Sequence, residues 1–408
     1  MRLTCTALHR AATRALLGKC VRTLWPLVKS SLEEMGKLVA GKGALSAIAP
    51  GMKHIRFHFT VYHWTTPCFA VILRSDDREE TQDEKAHNNG MGLIRTFGPL
   101  FPLVLAEMPR IETLIVTTPE YCGDDTRGST APSFDLQVVA SFRTCLASTL
   151  SNTPLEHLTD LRLTLPCAYD FVAVGAALSD TVCAQLRHLY LSYVDPTGPG
   201  GSAQYLWRYR REESDGFVPR SNLQQQYPNP DHMKAVCNIV DRCTFLESLG
   251  LAATHHLDCD LLNWTPTNRK GLRTLYLNRV RISHTTLIRL LSTSVAHLDI
   301  TTPPNPACSV WLHAVELKSG TWNEIFDHLL LHCPLLYYLS PVNLCYARGT
   351  ASNEYWIQNS HPHNINACVW SRNVPDEERL WDLVTKLVYN AGGEENYPRD
   401  HGETMVLD

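Results

Sequence analysis

One short phrase, L-x-x-L-x-L, recurs along the chain and constrains its fold more than any other feature. Clear copies are "LTDLRL" from Leu158, "LRHLYL" from Leu186, "LESLGL" from Leu246 and "LRTLYL" from Leu272. Degenerate copies are "MKHIRF" from Met52, "IETLIV" from Ile111, "VAHLDI" from Val295 and "LYYL" from Leu336. The last two apolar positions alternate with outward ones, as a short half-buried strand requires. One such strand cannot bury its leucines alone, so the units are expected to stack in parallel on a shared core. The steps from Leu158 to Leu186, Leu246 to Leu272 and Leu272 to Val295 fall within the roughly 20–29 residues of a leucine-rich repeat. The expected fold class is therefore α/β: a leucine-rich-repeat solenoid with parallel strands on its concave side, helices on its convex side, and helical caps at both ends.

The segments between copies carry helical periodicity. "SHTTLIRLLSTS" places Leu287, Leu290 and Leu291 on one face, "WNEIFDHLLLHCP" does so with Ile325, Phe326, Leu329 and Leu330, and "DHMKAVCNIVDRC" with Val236, Ile239 and Val240. Cysteine stands three residues before the first leucine at Cys183, Cys243 and Cys333, with Met108 in that place before Ile111. A small, soft apolar side chain suits a helix-to-strand corner. The tail helix begins at Pro375 before three acids, carries Leu380, Val384, Leu387 and Val388, and stops near Gly392. It is expected to cap the last unit.

Three polar stretches interrupt the pattern, at 74–92, 122–133 and 195–231. They read as insertions. The expected organisation is a helical segment over 1–44, irregular repeats over 45–345, and a loop, capping helix and tail over 346–408. With 408 residues, 44% of them hydrophobic, the chain has ample material for a core. A net charge of −4 argues against a protein that coats nucleic acid. The 14 cysteines form no CxxC pair and read as reduced, buried thiols, so a cytoplasmic or nuclear setting is expected. The first 30 residues hold six Lys or Arg and no acid, which also suits a mitochondrial presequence. No apolar run reaches the ~20 residues a membrane-spanning helix needs.

Catalytic signatures are missing from the sequence: there is no GxGxxG, GxxxxGK[ST], GxSxG or HExxH. Clusters of metal-ligating types do occur, in "HHLDCD" at His255–Asp260, "HPH" at His361–His363 and "HLLLH" at His328–His332. Eighteen histidines make chance clusters common, and the first two stretches read as loops, so neither a metal nor a cofactor is expected. The expectation is a non-enzyme. An enzyme with unrecognised motifs is the alternative, and an enclosed pocket with convergent titratable groups would mark it.

From about Met52 to Leu344 the chain resembles the leucine-rich-repeat half of fungal F-box proteins, most clearly in "LRTLYLNRVRISHTTLIRLL". "RLTCTALHRAATRALLGKCVRTLW", from Arg2, is similar to the end of an F-box. The resemblance implies a substrate receptor of a cullin-type ubiquitin ligase, or a degenerate relative of one. The early F-box helices that grip the Skp-type adaptor have no counterpart here, which places adaptor binding in doubt. A plain repeat scaffold with no ubiquitin connection is the alternative.

If the register is right, a protein partner of unknown identity meets the outward strand positions: His188 and Tyr190, then Thr274, Tyr276 and Asn278, then His297 and Asp299, with Arg162 and Thr164 earlier. Tyr205, Trp207 and Arg208 in the 195–231 insertion add an aromatic and cationic cluster suited to protein contact. Membrane and nucleic acid are not expected partners.

Overall fold

A computed structural model describes residues 22–26, 29–43, 45–58, 82–117, 135–194, 222–264, 272–295, 308–347, 358–361, 364–371, 373–393 and 397. The chain divides into two compact units. One holds residues 1–186 and 191–242, the other residues 187–190 and 243–408.

In the first unit, strands β1 (Arg22–Pro26), β2 (His54–His58), β3 (Thr113–Thr117) and β4 (Asp160–Leu165) lie side by side in chain order, and the β1–β2, β2–β3 and β3–β4 pairs are parallel. Parallel neighbours need crossovers, and helices supply them: α1 (Lys29–Val39), α2 (Gln82–Ala106), α3 (Leu136–Asn152), then α4 (Asp170–Ala177) and α5 (Asp180–Gln185). Asp135 starts α3 by accepting hydrogen bonds from the backbone N–H groups of Gln137 and Val138. The repeated phrases form these strands. Met52, Ile55 and Phe57, Ile111, Leu114 and Val116, and Leu158, Leu161 and Leu163 are all buried. Phe57 meets Phe97 and Phe101 of α2 edge-on, at 5.6 and 4.7 Å between ring centroids. Strand β5 (His188–Tyr193) gives its last three residues to this unit and its first three to the other. Helices α6 (Asn222–Gln226) and α7 (Asn229–Arg242) complete the first unit.

In the second unit, β6 (Ser248–Asp258), β7 (Thr274–Ser283), β8 (Cys308–His313) and β10 (Leu336–Val342) form one parallel run. Helix α8 (His284–Val295) follows β7, and α9 (Trp322–His332) precedes β10. Thr321 and Glu324 form a capping box at the start of α9. Backbone φ is positive at Arg279, Ala314 and Asn343, and at each the chain bends into a second ladder. That ladder joins the end of β7 to β9 (Glu316–Ser319), and β9 to β11 (Cys345–Tyr346). A hairpin of β12 (Gln358–His361) and β13 (Asn364–Trp370) leads to α10 (Val374–Asn390), which buries Leu380, Leu383, Val384 and Leu387.

This architecture corrects the expected fold class. The structure is an α/β arrangement of helices on an all-parallel sheet, of the general kind seen in Rossmann-like and α/β-barrel-like folds, and not a clear leucine-rich-repeat solenoid with caps. The crossovers show why. Between β2 and β3 stands a helix of 25 residues, between β3 and β4 one of 17, and between β4 and β5 two of 8 and 6. Between β6 and β7 the described residues hold a single 3-residue turn. Among the described residues these crossovers share no constant size. L-x-x-L-x-L reports one buried strand face and its entry corner, which any parallel strand under helices presents.

Local expectations are corrected too. The segment 1–44 is not helical throughout, because β1 lies within it. Helix α2 begins at Gln82, inside the stretch read as an insertion, and α6 and α7 begin inside the 195–231 stretch. The insertion at 122–133 lies outside the described residues. Of the phrase at Val295 only Val295 itself is described, as the last residue of α8, and the rest lies outside the described residues; "CSVWLH" pairs with β7 as β8.

Candidate functional site

The leucines of the second unit turn one sheet face into core. Leu249 and Leu251, Leu275 and Leu277, Val310 and Leu312, and Leu339 are each 0–1% exposed. Alternation then fixes what the opposite face presents. Register aligns Ser248, Thr274, Ser309 and Tyr338 in one row, Gly250, Tyr276, Trp311 and Ser340 in the next, and Ala252, Asn278, His313 and Val342 in a third. His188 and Tyr190 of β5 extend these rows on the far side of β6: the imidazole Nδ1 of His188 is hydrogen-bonded to Ser248 Oγ at 3.0 Å.

Rings dominate this face. Tyr190 and Tyr276 lie 5.9 Å apart between centroids although their strands flank β6. Tyr276 meets His313 edge-on at 5.6 Å, and Trp311 meets Tyr338 at 5.1 Å. Hydrogen bonds brace the rings. Asn278 Nδ2 donates to the Tyr276 hydroxyl at 3.0 Å, and His313 Nε2 is bonded to Ser340 Oγ at 3.0 Å. The row just before the face is ionic and carries a net positive charge: Glu247 pairs with Arg187 at 3.0 Å and with Arg273 at 3.6 Å.

Five of the residues expected to bind a partner, His188, Tyr190, Thr274, Tyr276 and Asn278, thus lie together and are half-buried. His297, Asp299, Tyr205, Trp207 and Arg208 lie outside the described residues. Trp311, His313 and Tyr338 were missed by the sequence reading. The alternation S-V-W-L-H was the available signal for the first two, masked by a closer match to the leucine phrase at Val295.

In the first unit the corresponding outward positions are polar. His54 is bonded to Thr113 and His58 to Thr117, each at 2.9 Å, and Arg162 grips Asp160 through Nε and Nη2. Burial and the Arg56 cation hold the His58 imidazole below its usual value. Just past β4, Arg143 pairs with the buried Asp170 at 2.5 Å and lies over the rings of Tyr169 and Tyr227, which stack at 4.3 Å. Burial pushes the Asp170 carboxyl up, against the pull of Arg143.

A groove of about 560 Å³ runs between α2 and α3, lined by Gly98, Pro99, Pro102, Ser141, Cys145 and Ser148 among others. Proline at 102 leaves the Gly98 carbonyl without its helical N–H partner, and the Cys145 thiol sits 3.9 Å from that oxygen. Burial pushes this thiol up to about 11, so it stays protonated and a poor nucleophile near neutral pH.

The "HHLDCD" cluster is not a loop. Its first four residues end β6, and its side chains are engaged in bonds with neighbours. His256 meets Glu316 at 3.1 Å, Asp258 and Asp260 both meet Lys318 at 2.9 Å, and Asp260 accepts from the backbone N–H and hydroxyl of Ser283. His328 and His332 stand 5.1 Å apart on α9. His363 lies outside the described residues. Among the described residues no group of three or more His, Cys, Asp or Glu is placed to hold a metal ion, and no helix is long and apolar enough to cross a membrane. No protein family and no curated protein matches the chain.

Proposed function

We propose that the protein is a non-catalytic binding protein that holds a protein partner against the ring-bearing sheet face of its second unit. The observation that supports this reading is the group of Tyr190, Tyr276 and Trp311, half-buried rings gathered from three strands and backed by a leucine core. Tyr and Trp are the residues that most often dominate binding energy, because they bury much area at small entropic cost. Strands fix their backbones, so little ordering remains to oppose association. Buried thiols at Cys183, Cys243 and Cys333 fit a reducing compartment, cytoplasm or nucleus.

The test compares partners captured by the wild type, by Tyr276→Ala with Trp311→Ala, and by a control variant, Leu331→Ser, on the outer side of α9. The expected result is a partner lost only from the face variant. Identical capture by all three would reject the reading. A ubiquitin-ligase role rests on the likeness of the opening residues to an F-box, and co-purification with an Skp-type adaptor tests it separately.

A further inference from the structure

Register puts Tyr338 on the ring-bearing face, opposite Ser309 and against the Trp311 ring. Tyr190, Tyr276 and Trp311 are half-buried there, whereas Tyr338 is 4% exposed. A ring from the chain's own tail lies against it: Tyr397, 5.7 Å away between centroids and itself buried. The Tyr397 hydroxyl also reaches the next residue of β10. It accepts the Leu339 backbone N–H at 3.2 Å and donates to the Leu339 carbonyl at 3.0 Å. The N–H and C=O of one strand residue point to the same side, where a neighbouring strand usually meets both. Here one hydroxyl, donor and acceptor at once, stands in for that strand. Local geometry brings the tail there. Helix α10 closes with the Gly392 and Gly393 N–H groups donating to the Tyr389 and Val388 carbonyls, each at 3.0 Å. φ is +86° at Gly392 and +120° at Gly393, a reversal that glycine makes without strain. The Tyr397 N–H then donates to the Gly393 carbonyl at 3.2 Å.

We infer that Tyr397 is an autoinhibitory latch on the binding face: closed, it keeps the Tyr338 ring and the Leu339 peptide from a partner, and open, it adds both to the face. The inference rests on the binding reading above and names how that face is regulated. The contact has the strength of a latch. Two neutral hydrogen bonds and a ring contact hold it, and water replaces such bonds at small net cost. Once it opens, Leu339 presents an N–H and a C=O at the sheet edge beside an uncovered ring. Both gain from a partner, and the apparent affinity falls with the fraction of molecules that keep the latch closed.

The experiment compares the full chain as wild type, Tyr397→Phe and Tyr397→Ala. Amide hydrogen exchange reports the Leu339 N–H, nitration by tetranitromethane reports the Tyr338 ring, and the uncharged dye N-phenyl-1-naphthylamine reports the face. Tyr397→Phe keeps the ring and loses the hydroxyl, so Leu339 exchange should rise about tenfold while Tyr338 stays protected. Tyr397→Ala should also expose Tyr338 to nitration and tighten dye binding about fivefold, a gain that Trp311→Ala removes. Wild-type exchange across α9 excludes general unfolding as the cause. If Tyr397→Ala does not fold, Tyr397→Phe decides the matter through Leu339 exchange and a dye gain of about twofold. Unchanged Leu339 exchange overturns the inference, and so does an uncovered Tyr338 with no gain in dye binding. In those cases a partner lost from Tyr276→Ala with Trp311→Ala leaves the binding reading standing. A latch that opens while that face variant captures partners as the wild type does rejects the binding reading, and the regulatory role with it.

Discussion

Asp376 is the position where one substitution should damage the second unit most. The residue lies in the first turn of α10 with no exposed surface. Its carboxylate accepts four hydrogen bonds: from the Asn323 backbone N–H at 2.8 Å, Asn373 Nδ2 at 3.0 Å, the Tyr346 hydroxyl at 2.6 Å and Ser371 Oγ at 2.5 Å. One acid thereby satisfies an orphan N–H of α9 while sitting at the amino end of α10, where both helix dipoles favour its charge. Hydrogen bonds to a charged group contribute about 1.5–3 kcal/mol each, and a donor left buried without a partner costs about 1–3 kcal/mol. Asp376→Ala orphans the Asn323 N–H and the Tyr346 hydroxyl in the interior, so a loss of roughly 4–6 kcal/mol is expected. That is a large share of the ~5–15 kcal/mol typical of a whole domain. Tyr346→Phe removes one of these bonds, and also the acceptor for the Trp322 N–H at 3.0 Å, and should cost roughly 2–3 kcal/mol. Urea denaturation of both single variants and the double variant gives the coupling energy. Hydrogen exchange across α9 and α10 locates the damage. A loss below about 1 kcal/mol for Asp376→Ala, or strict additivity with Tyr346→Phe, would refute the argument that this carboxylate ties the two helices together.

Three further outcomes follow from backbone and charge. Ala314 holds φ at +49°, a conformation that costs an L-residue about 1 kcal/mol or more, so Ala314→Gly should raise stability by roughly 0.5–1 kcal/mol in a thermal melt. Gly320 has φ +76° and an added Cβ would meet the His284 side chain, with Cγ at 2.8 Å; Gly320→Ala should lower stability by roughly 2–3 kcal/mol, and a neutral melt would contradict this. The Asp260 carboxyl is held below its usual value: partial burial opposes this, but bonds from the Ser283 N–H and Lys318 prevail. Its stabilisation is therefore full above the unfolded value of about 3.9 and is lost as pH falls through the lower folded value. Acid unfolding of Asp260→Asn should be less steep there than in the wild type, and identical acid transitions would exclude the pairing.

What the amino-acid order determined by itself is local. Leucine alternation marks β4 to β7 and their buried side, because one face of each strand must leave water whatever its neighbours are. The stripes of Leu287, Leu290 and Leu291, and of Ile325, Phe326 and Leu329, mark α8 and α9 for the same reason. His188, Tyr190, Thr274, Tyr276 and Asn278 were legible as outward positions on that basis alone. Tertiary structure decided which strands stand side by side and in what register. It placed "CSVWLH" against β7 where "VAHLDI" matched the phrase better, and so brought Trp311, His313 and Tyr338 to the face. It also decided the fold class, since a periodic phrase records that a strand is half-buried but not the size of the crossover joining it to the next. The lie of the Tyr190 ring across Gly250 and the Asp376 junction belong to the same category. Each depends on atoms brought together from distant parts of the chain, Tyr190 60 residues before Gly250 and Asn323 53 residues before Asp376, and no local pattern records such a meeting.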